Sequence, residues 1–224
     1  MPKGRKPSQL VPLKTLRIFC EGERTEPNYL KGYIANLDNH ARTSVVTVKK
    51  TNKNTAIQLV EEAIRVKESP VSLREDEFWV VYDRESAAKY SDALHAEARA
   101  KADKAGIKIA LCNVCFEYWI LIHLVDTDAP FSSYDDLIKT SPLRDQMKAQ
   151  CGCDYEKSAR SIFDLLKDHL PSARVRAKRL NVQSIQNAQA GRNQPHHINP
   201  YVGVAELLDA IDAFVWLGQS EAGP

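Results

Sequence analysis

The stretch from Thr15 to Pro27 combines an apolar strand, an acidic turn and the start of a helix. Its run from Leu16 to Cys20 is dense in strand-forming residues, which predicts a buried parallel strand. Glu21 and Gly22 follow at the carboxyl end of that strand, the edge where open α/β sheets bind ligands. Thr25 is the predicted cap of the next helix, and a proline stands near the first helical position.

A second apolar run, from Glu77 to Tyr82, also ends in acidic residues, because Asp83 and Glu85 follow it. In extended backbone, residues two apart face the same way, so these two carboxylates are predicted to project together. If the two strands are parallel neighbours, Glu21, Asp83 and Glu85 meet at one edge of the sheet. Carboxylates gathered this closely repel one another unless they share a proton or hold a cation. A hard divalent ion, Mg2+ or Mn2+, is the natural partner of such oxygen ligands.

Strand-like and helix-like segments alternate along the first half of the chain, which predicts right-handed crossovers and a parallel sheet. The resulting fold class is α/β, with strand order 2-1-3-4, helices on both faces and a helical C-terminal extension from about Val125. We expect a short helix near 134–138 in an otherwise irregular segment over 125–153. The predicted strands are 16–20, 44–49, 77–82 and 107–112, and the predicted helices are 26–37, 54–67, 91–105, 113–123, 155–170, 171–189 and 202–217.

Length and composition suit one domain with an insertion, or two small ones, because the chain has 224 residues and 43% hydrophobic content. We expect a basic tail over 1–14, which is either disordered or a phosphate-binding arm, an α/β core over 15–124, and helices packing on that core over 125–224. The net charge of +2 gives no global case for nucleic acid binding. Neither a membrane span nor a secretion signal is visible, and the five cysteines suit a reducing compartment, so we expect a cytoplasmic protein.

Three further polar residues near the predicted site have two interpretations each. Glu23, like Glu26, is interpreted mainly as a residue that interacts with the helix dipole, and the alternative is that it reaches the metal. Glu117 lies in an otherwise apolar helix, where it either binds the metal, directly or by supporting its ligands, or pairs with a buried arginine. His123 is a candidate acid or base, with a satisfied core histidine as the alternative.

A local basic patch stands on the helix predicted over 171–189. A solvated helix face is the default interpretation. Phosphate binding is the rival, because an arginine and the His196-His197 loop follow nearby. In the second interpretation the helix contacts a nucleic-acid backbone through Arg174, Arg176, Lys178, Arg179 and Arg192.

Three motifs in the chain, taken in order, resemble one family of bacterial proteins. They read CEGERTEPNYLKGY, VYDRES and NVCFEYWILIH, and a fourth segment, NPYVGVAELLDAI, matches near the end. The chain resembles the RloB-like proteins, which are found beside restriction and abortive-infection systems. The resemblance covers most of the chain and implies a role in anti-phage defence. It also implies a partner protein, because family members sit beside genes for AAA-type or ABC-type ATPases and this chain carries no Walker motif.

The Glu-Gly turn and the acidic pair are also similar to the Toprim catalytic core of primases, topoisomerases and overcoming-lysogenization-defect nucleases. By this resemblance Glu21 acts in acid–base chemistry, while Asp83 and Glu85 bind the divalent metal. The chain departs from the Toprim pattern by carrying Glu rather than Asp at the second position of the pair. Glutamate still binds metal, but its longer arm displaces the ion.

Two functions of different classes fit these features. The first is a Mg2+- or Mn2+-dependent nuclease, or a related phosphodiester-processing enzyme, with Glu21, Asp83 and Glu85 as catalytic residues and metal ligands. Glu23 and Glu117 are additional candidate ligands. The alternative is a non-catalytic effector or adaptor, or a nucleic-acid-binding partner of an AAA- or ABC-type ATPase. The sequence leaves open whether the substrate is DNA or RNA, what triggers the protein, and whether it forms a homo-oligomer.

Overall fold

In the computed structural model the described residues are 14–37, 46–51, 53 and 55–221, and for residues 50 and 216–221 only the backbone is described. Three expectations fall outside these residues. They are the basic tail up to residue 13, the start of the second strand at 44–45, and the use of Asn54 as a helix cap.

A five-stranded sheet forms the centre of the fold, in the order β2-β1-β3-β4-β5. The first four strands are parallel and β5 runs antiparallel to β4, so the predicted order 2-1-3-4 is confirmed. The fifth strand was not predicted. The strands are β1 Leu16–Cys20, β2 Val46–Lys50, β3 Glu77–Asp83, β4 Lys108–Asn113 and β5 Tyr201–Val202.

Capping residues set the ends of some of the helices. Thr55 and Ser91 each accept a backbone N–H at 3.3 Å, and Gly106 ends a helix in the left-handed conformation, with φ of 63°. The predicted cap Thr25 is instead the first helical residue, and its hydroxyl donates to the Lys157 carbonyl. The helices are α1 Thr25–Ala35, α2 Ala56–Lys67, α3 Asp92–Ala105, α4 Glu117–Leu124, α5 Tyr134–Thr140, α6 Leu143–Cys151, α7 Ile162–Leu166, α8 Leu170–Gln186 and α9 Val204–Glu221.

The sheet separates two apolar clusters, because successive residues of a strand face opposite sides. Trp79 and Val81 of β3 join the cluster on the side of α1 and α4, whereas Phe78 and Val80 join the cluster on the side of α2 and α3. Every residue of α4 is buried, as its apolar sequence predicts. Helices α5 to α9 add to the first cluster, which confirms the helical C-terminal extension. No helix within the described residues has the length and hydrophobicity needed to cross a bilayer.

Candidate functional site

The two acidic strand ends singled out by the sequence lie side by side. Cys20 of β1 pairs in register with Val81 of β3. Immediately beyond, the Glu21 N–H donates to the Val81 carbonyl at 2.9 Å, and the Glu21 carboxylate accepts the Asp83 N–H at 3.3 Å. The predicted meeting of these strand ends is therefore present in the fold.

A cavity of about 670 Å³ opens at this edge of the sheet, and we call it the carboxylate cavity. It gathers all five residues that were predicted to bind metal, including Glu23 from the β1–α1 turn and Glu117 from α4. Glu26 contributes a sixth carboxylate, whereas Arg24, Lys89 and Lys157 are its three basic residues. Its lining consists of Glu21, Gly22, Glu23, Arg24, Thr25, Glu26, Asp83, Glu85, Lys89, Tyr90, Glu117, Lys157 and Ser158.

Glu85 reaches the carboxylate cavity by a route that was not predicted. Strand β3 ends at Asp83, and Glu85 adopts a left-handed backbone with φ of 57° rather than the expected extended one. Its N–H donates to the Val114 carbonyl at 2.9 Å, and the Lys89 ammonium donates to its carboxylate at 2.7 Å. Left-handed backbone costs a residue with a Cβ about 1 to 3 kcal/mol, and such strain is concentrated at functional sites. The left-handed turn, and not the alternation of an extended strand, therefore brings Asp83 and Glu85 to one cavity.

Glu26 has a larger part in this site than the sequence predicts. It lies in the first turn of α1 as expected, but its side chain is buried and lines the cavity. A Cβ on Gly22 would lie 2.0 Å from a Glu26 carboxylate oxygen, so the glycine leaves the room that this carboxylate needs. The available signal was a glycine in the turn after the strand, with a glutamate four residues later.

The gathered carboxylates disfavour one another's ionisation. Burial raises the pKa of Glu21 to about 7, and the nearby charges of Glu85 and Glu26 add to the rise. Burial, with Glu117 nearby, raises the pKa of Glu26 to about 7 as well. The pKa of Asp83 lies well above its ordinary value, because of burial first and then the charges of Glu26 and Glu117. Such a group of carboxylates retains protons near neutral pH unless a cation replaces them.

Glu117 has partners that the sequence did not identify. It is 1% exposed, and the Tyr155 hydroxyl donates to its carboxylate at 2.7 Å. The Lys157 ammonium lies 4.0 Å from the same oxygen and 3.8 Å from the centre of the Tyr134 ring. Glu117 is thus paired with a lysine and a tyrosine rather than with the buried arginine considered above. Tyr155 and Lys157 lie in a segment that was predicted to be helical, but the helix begins only at Ile162, so their contacts with Glu117 could not be predicted from the spacing.

The donor set suits a hard divalent ion, although the side chains do not converge on one. Within the described part of the chain, no group of three or more His, Cys, Asp or Glu side chains is arranged to hold a metal. Glu21 is bonded to the Asp83 backbone, and Glu85 is bonded to Lys89. Carboxylate oxygens are the ligands that Mg2+ and Mn2+ prefer, and the raised pKa values indicate unbalanced negative charge. Each of these contacts uses one carboxylate oxygen, so an ion held by Glu21, Asp83 and Glu85 would bind the free oxygens or replace the contacts.

A protein-family model for RloB-like proteins matches residues 16–211 of the chain. The chain belongs to the RloB-like family. The match includes all five strands and every candidate site residue. No match was found among curated proteins or among solved structures.

His123 lies in the core of this RloB-like protein, away from the carboxylate cavity. It is 1% exposed, its Nδ1 donates to the Trp119 carbonyl at 2.8 Å, and its Nε2 accepts the Tyr29 hydroxyl at 2.9 Å. Burial lowers its pKa to about 3, so the ring is neutral. These contacts favour the core-histidine interpretation over the role of acid or base.

The predicted nucleic-acid-binding residues of the RloB-like chain all have partners inside the protein. The acidic partners belong to α3, to the segment after α4 and to α9, so they neutralise most of the basic patch. The α8 surface is therefore neither the free basic face nor the purely solvated face that the sequence suggests. The contacts are Arg174 with Asp209 and Asp212, Arg176 with the carbonyls of Ile122 and His123, Lys178 with Asp209, Arg179 with Asp126, and Arg192 with Asp92.

Arg176 is expected to support folding rather than nucleic-acid affinity. It donates to the Ile122 and His123 carbonyls at 2.9 and 2.8 Å, at the C-terminus of α4. We expect Arg176→Ala to lower the free energy of unfolding by about 1 to 3 kcal/mol, because both carbonyls lose a charged donor. The matched change Lys178→Ala removes only an exposed pair with Asp209 and should cost less than about 1 kcal/mol. Urea unfolding of both variants measures the difference, and equal stabilities would contradict this role.

Arg84 is the most consequential residue that the sequence analysis missed in this RloB-like protein. It stands between Asp83 and Glu85, yet its side chain is buried. The guanidinium donates to the His196 carbonyl at 2.9 Å, to the Tyr90 carbonyl at 2.9 Å, and to Asp92 at 2.6 Å. These bonds attach the turn, on which Glu85 lies, to α3 and to the segment before β5. A charged residue directly after a buried strand was the available signal, but its partners are remote in sequence.

Proposed function

We propose that this RloB-like protein is a Mg2+- or Mn2+-dependent nuclease that acts in bacterial anti-phage defence. The observation that carries the proposal is the charge imbalance of the carboxylate cavity, where six carboxylates face three basic side chains. Such an excess of negative charge, part of which is buried, favours the binding of a divalent cation. The fold supports the proposal, because the site lies at the carboxyl ends of parallel strands, as in other open α/β sheets.

In this proposal each residue of the carboxylate cavity has a separate task. Asp83 and Glu85 hold the ion, which when bound polarises a phosphoryl oxygen and lowers the pKa of a water. Glu21, with a pKa of about 7, is suited to accept a proton near neutral pH or to hold a second ion. Lys157 lies at the cavity wall, where its charge balances that of an entering phosphate.

The second candidate function is a non-catalytic effector or adaptor of an AAA- or ABC-type ATPase. One observation favours it, since no carboxylate group within the described residues converges on a metal position. In this case the repulsion inside the cavity is relieved by protons. Either function belongs in the cytoplasm in our proposal, because a reducing compartment keeps the cysteines as free thiols.

Substitutions of two glutamates at opposite ends of β3 distinguish the two functions. Glu85 follows the carboxyl end of β3 and pairs with Lys89 at 2.7 Å, whereas Glu77 begins β3 and pairs with Lys108 at 2.8 Å. We expect Glu85→Gln to weaken Mn2+ binding by about tenfold or more, because a direct ligand matters at least as much as its supporting residues. Glu77→Gln, which loses a similar surface pair, should bind Mn2+ as the unaltered protein does.

Isothermal titration with Mn2+ gives both affinities, and cleavage of labelled DNA and RNA gives the activity. Mn2+-dependent cleavage that is lost in Glu85→Gln and kept in Glu77→Gln supports the nuclease. Equal Mn2+ affinity in all three proteins, without cleavage, would favour the adaptor.

A further inference from the structure

The carboxylate cavity adjoins two further cavities. Glu85 also lines a second cavity, of about 420 Å³, on the other side of the turn after β3. Arg192, His197 and Asn199 line both this second cavity and a third one, of about 730 Å³, beside the end of α8. The three cavities therefore follow one another across the surface. We call the second and third cavities together the flanking groove.

The flanking groove differs in chemistry from the carboxylate cavity beside it. Its lining is rich in amide side chains, including Gln183, Gln186 and Asn199. Arg192 is half-exposed and bonds through one terminal nitrogen to Asp92 at 3.0 Å. Asp92 is also held by Arg84, so this acidic residue of the groove is already neutralised. A strongly acidic cavity thus opens into a groove that offers hydrogen-bond donors and acceptors, with Arg192 as its half-exposed cation and Asp128 as a further carboxylate in its lining.

Two histidines that line the flanking groove have ring nitrogens without a hydrogen-bond partner among the described residues. His196 is 5% exposed, and its Nε2 has no hydrogen-bond partner among the described residues. The same holds for Nδ1 of His197, whose ring centre lies 4.1 Å from that of His196. A buried polar atom without a partner is unfavourable, so a group that enters the groove and bonds to it gains stability.

His196 is the outer member of a stacked column of rings. Its ring stacks on His95 at 6.0 Å, and His95 stacks on Tyr82 of β3 at 5.8 Å. The column is anchored in the core, so His196 holds a fixed position in the wall of the groove with the partly exposed ring of His197 packed against it. Nucleobases stack on aromatic and imidazole rings held in this way, with little dependence on sequence.

We infer that the flanking groove holds the nucleotides next to the scissile phosphate of a single-stranded nucleic acid. The inference rests on the proposed nuclease function, and it adds the class of substrate. The unstacked bases of a single strand can enter a groove of this kind, whereas bases stacked inside a duplex cannot. Amides and imidazoles bond to the edges of such bases, and Arg192 offers its remaining donors to a phosphate.

The inference is tested by binding in the absence of any metal ion. We would titrate Arg192→Ala and His197→Ala into a labelled single strand of about a dozen nucleotides, as DNA and as RNA, in EDTA. The matched control is Arg144→Ala, because Arg144 is as exposed as Arg192, also pairs with an aspartate, and lines none of the three cavities. Fluorescence anisotropy should show affinity weakened about fivefold or more in each groove variant and unchanged in the control.

The outcomes separate this inference from the nuclease proposal. Binding of DNA or RNA that weakens in the groove variants supports the inference, even if Mn2+ then produces no cleavage. The strand that binds more tightly shows whether the groove prefers deoxyribose or ribose. The inference is overturned if the groove variants bind as tightly as the control, if the unaltered protein binds no single strand, or if a duplex of the same sequence binds more tightly. Mn2+-dependent cleavage alongside any of these three results would leave the nuclease proposal standing alone.

Discussion

Asp83→Asn should abolish Mn2+ binding and phosphodiester cleavage while leaving a more stable metal-free fold. Asparagine keeps the shape of the side chain but removes one of the charges at the end of β3. We expect Mn2+ affinity and cleavage to fall about 100-fold or more, because the substitution removes a direct ligand of the proposed ion. The metal-free protein should unfold at a higher temperature, because Asp83 is the carboxylate whose pKa is raised by burial and by four acidic neighbours.

Three measurements on Asp83→Asn decide between the nuclease and the adaptor. Isothermal titration reports Mn2+ affinity, thermal unfolding in EDTA reports the relief of repulsion, and phage plating reports defence in cells. Glu77→Gln serves as the control, because it removes a carboxylate from the opposite end of β3. Unaltered protein that binds no Mn2+ at millimolar concentration, or an Asp83→Asn strain that still resists phage, would refute the metal-dependent mechanism.

Glu21→Gln should change how stability depends on pH. The folded-state pKa of Glu21 is raised from 4.5 to about 7, so its contribution to stability is complete below pH 4.5 and is lost as the pH rises to 7. Glutamine accepts the same Asp83 N–H without ionising. In EDTA, Glu21→Gln should therefore gain stability relative to the unaltered protein between pH 4.5 and 7, reaching about 3 kcal/mol. Above pH 7 the difference should stay constant.

Glu21→Gln must be compared with the unaltered protein at each pH, because buried histidines change the stability over the same pH range in the opposite direction. Burial lowers the pKa of His95 and His196 to about 4 and that of His123 to about 3. Because of these histidines the free energy of unfolding falls as the pH falls. Both proteins contain them, so their effect cancels in the difference between the two free energies of unfolding. Urea unfolding at several pH values gives the difference, with Glu77→Gln, at the opposite end of β3, as the matched control. A flat difference for Glu21→Gln would mean that this carboxylate is not desolvated.

The parallel sheet could be predicted from the sequence because its signals are local. Runs such as Glu77–Asp83 are apolar and rich in strand formers, and the helices between them carry their own caps. Strand β5 could not be predicted, since two residues carry no periodicity and its pairing with β4 is remote. The predicted helix over 155–170 forms only from Ile162, because Thr25 and Asn28 of α1 bond to carbonyls of residues 157–159. Tertiary contacts outweighed helical spacing there.

The candidate site could be predicted in part, for the same physical reason. Glu21, Asp83 and Glu85 follow recognisable strands, so their meeting at one cavity follows from the sheet order. Glu26 is buried because a glycine four residues earlier leaves space for it, which becomes evident only in three dimensions. Nucleic-acid binding by the basic residues of α8 stays a prediction, and their pairing with residues such as Asp209 could not be foreseen, because Asp209 lies some thirty residues further along the chain.

The hydrogen bonds of Arg84 also affect when the site is completed during synthesis of the chain. Arg84 bonds to the carbonyl of His196, which is 112 residues further along the chain. A ribosome therefore releases the acidic turn well before the segment that holds it, since chains emerge at about 5 to 20 residues per second. For the interval in between, the nascent chain has Asp83 and Glu85 but lacks part of their support. The nuclease proposed above would have its complete site only after residue 196 has emerged and docked.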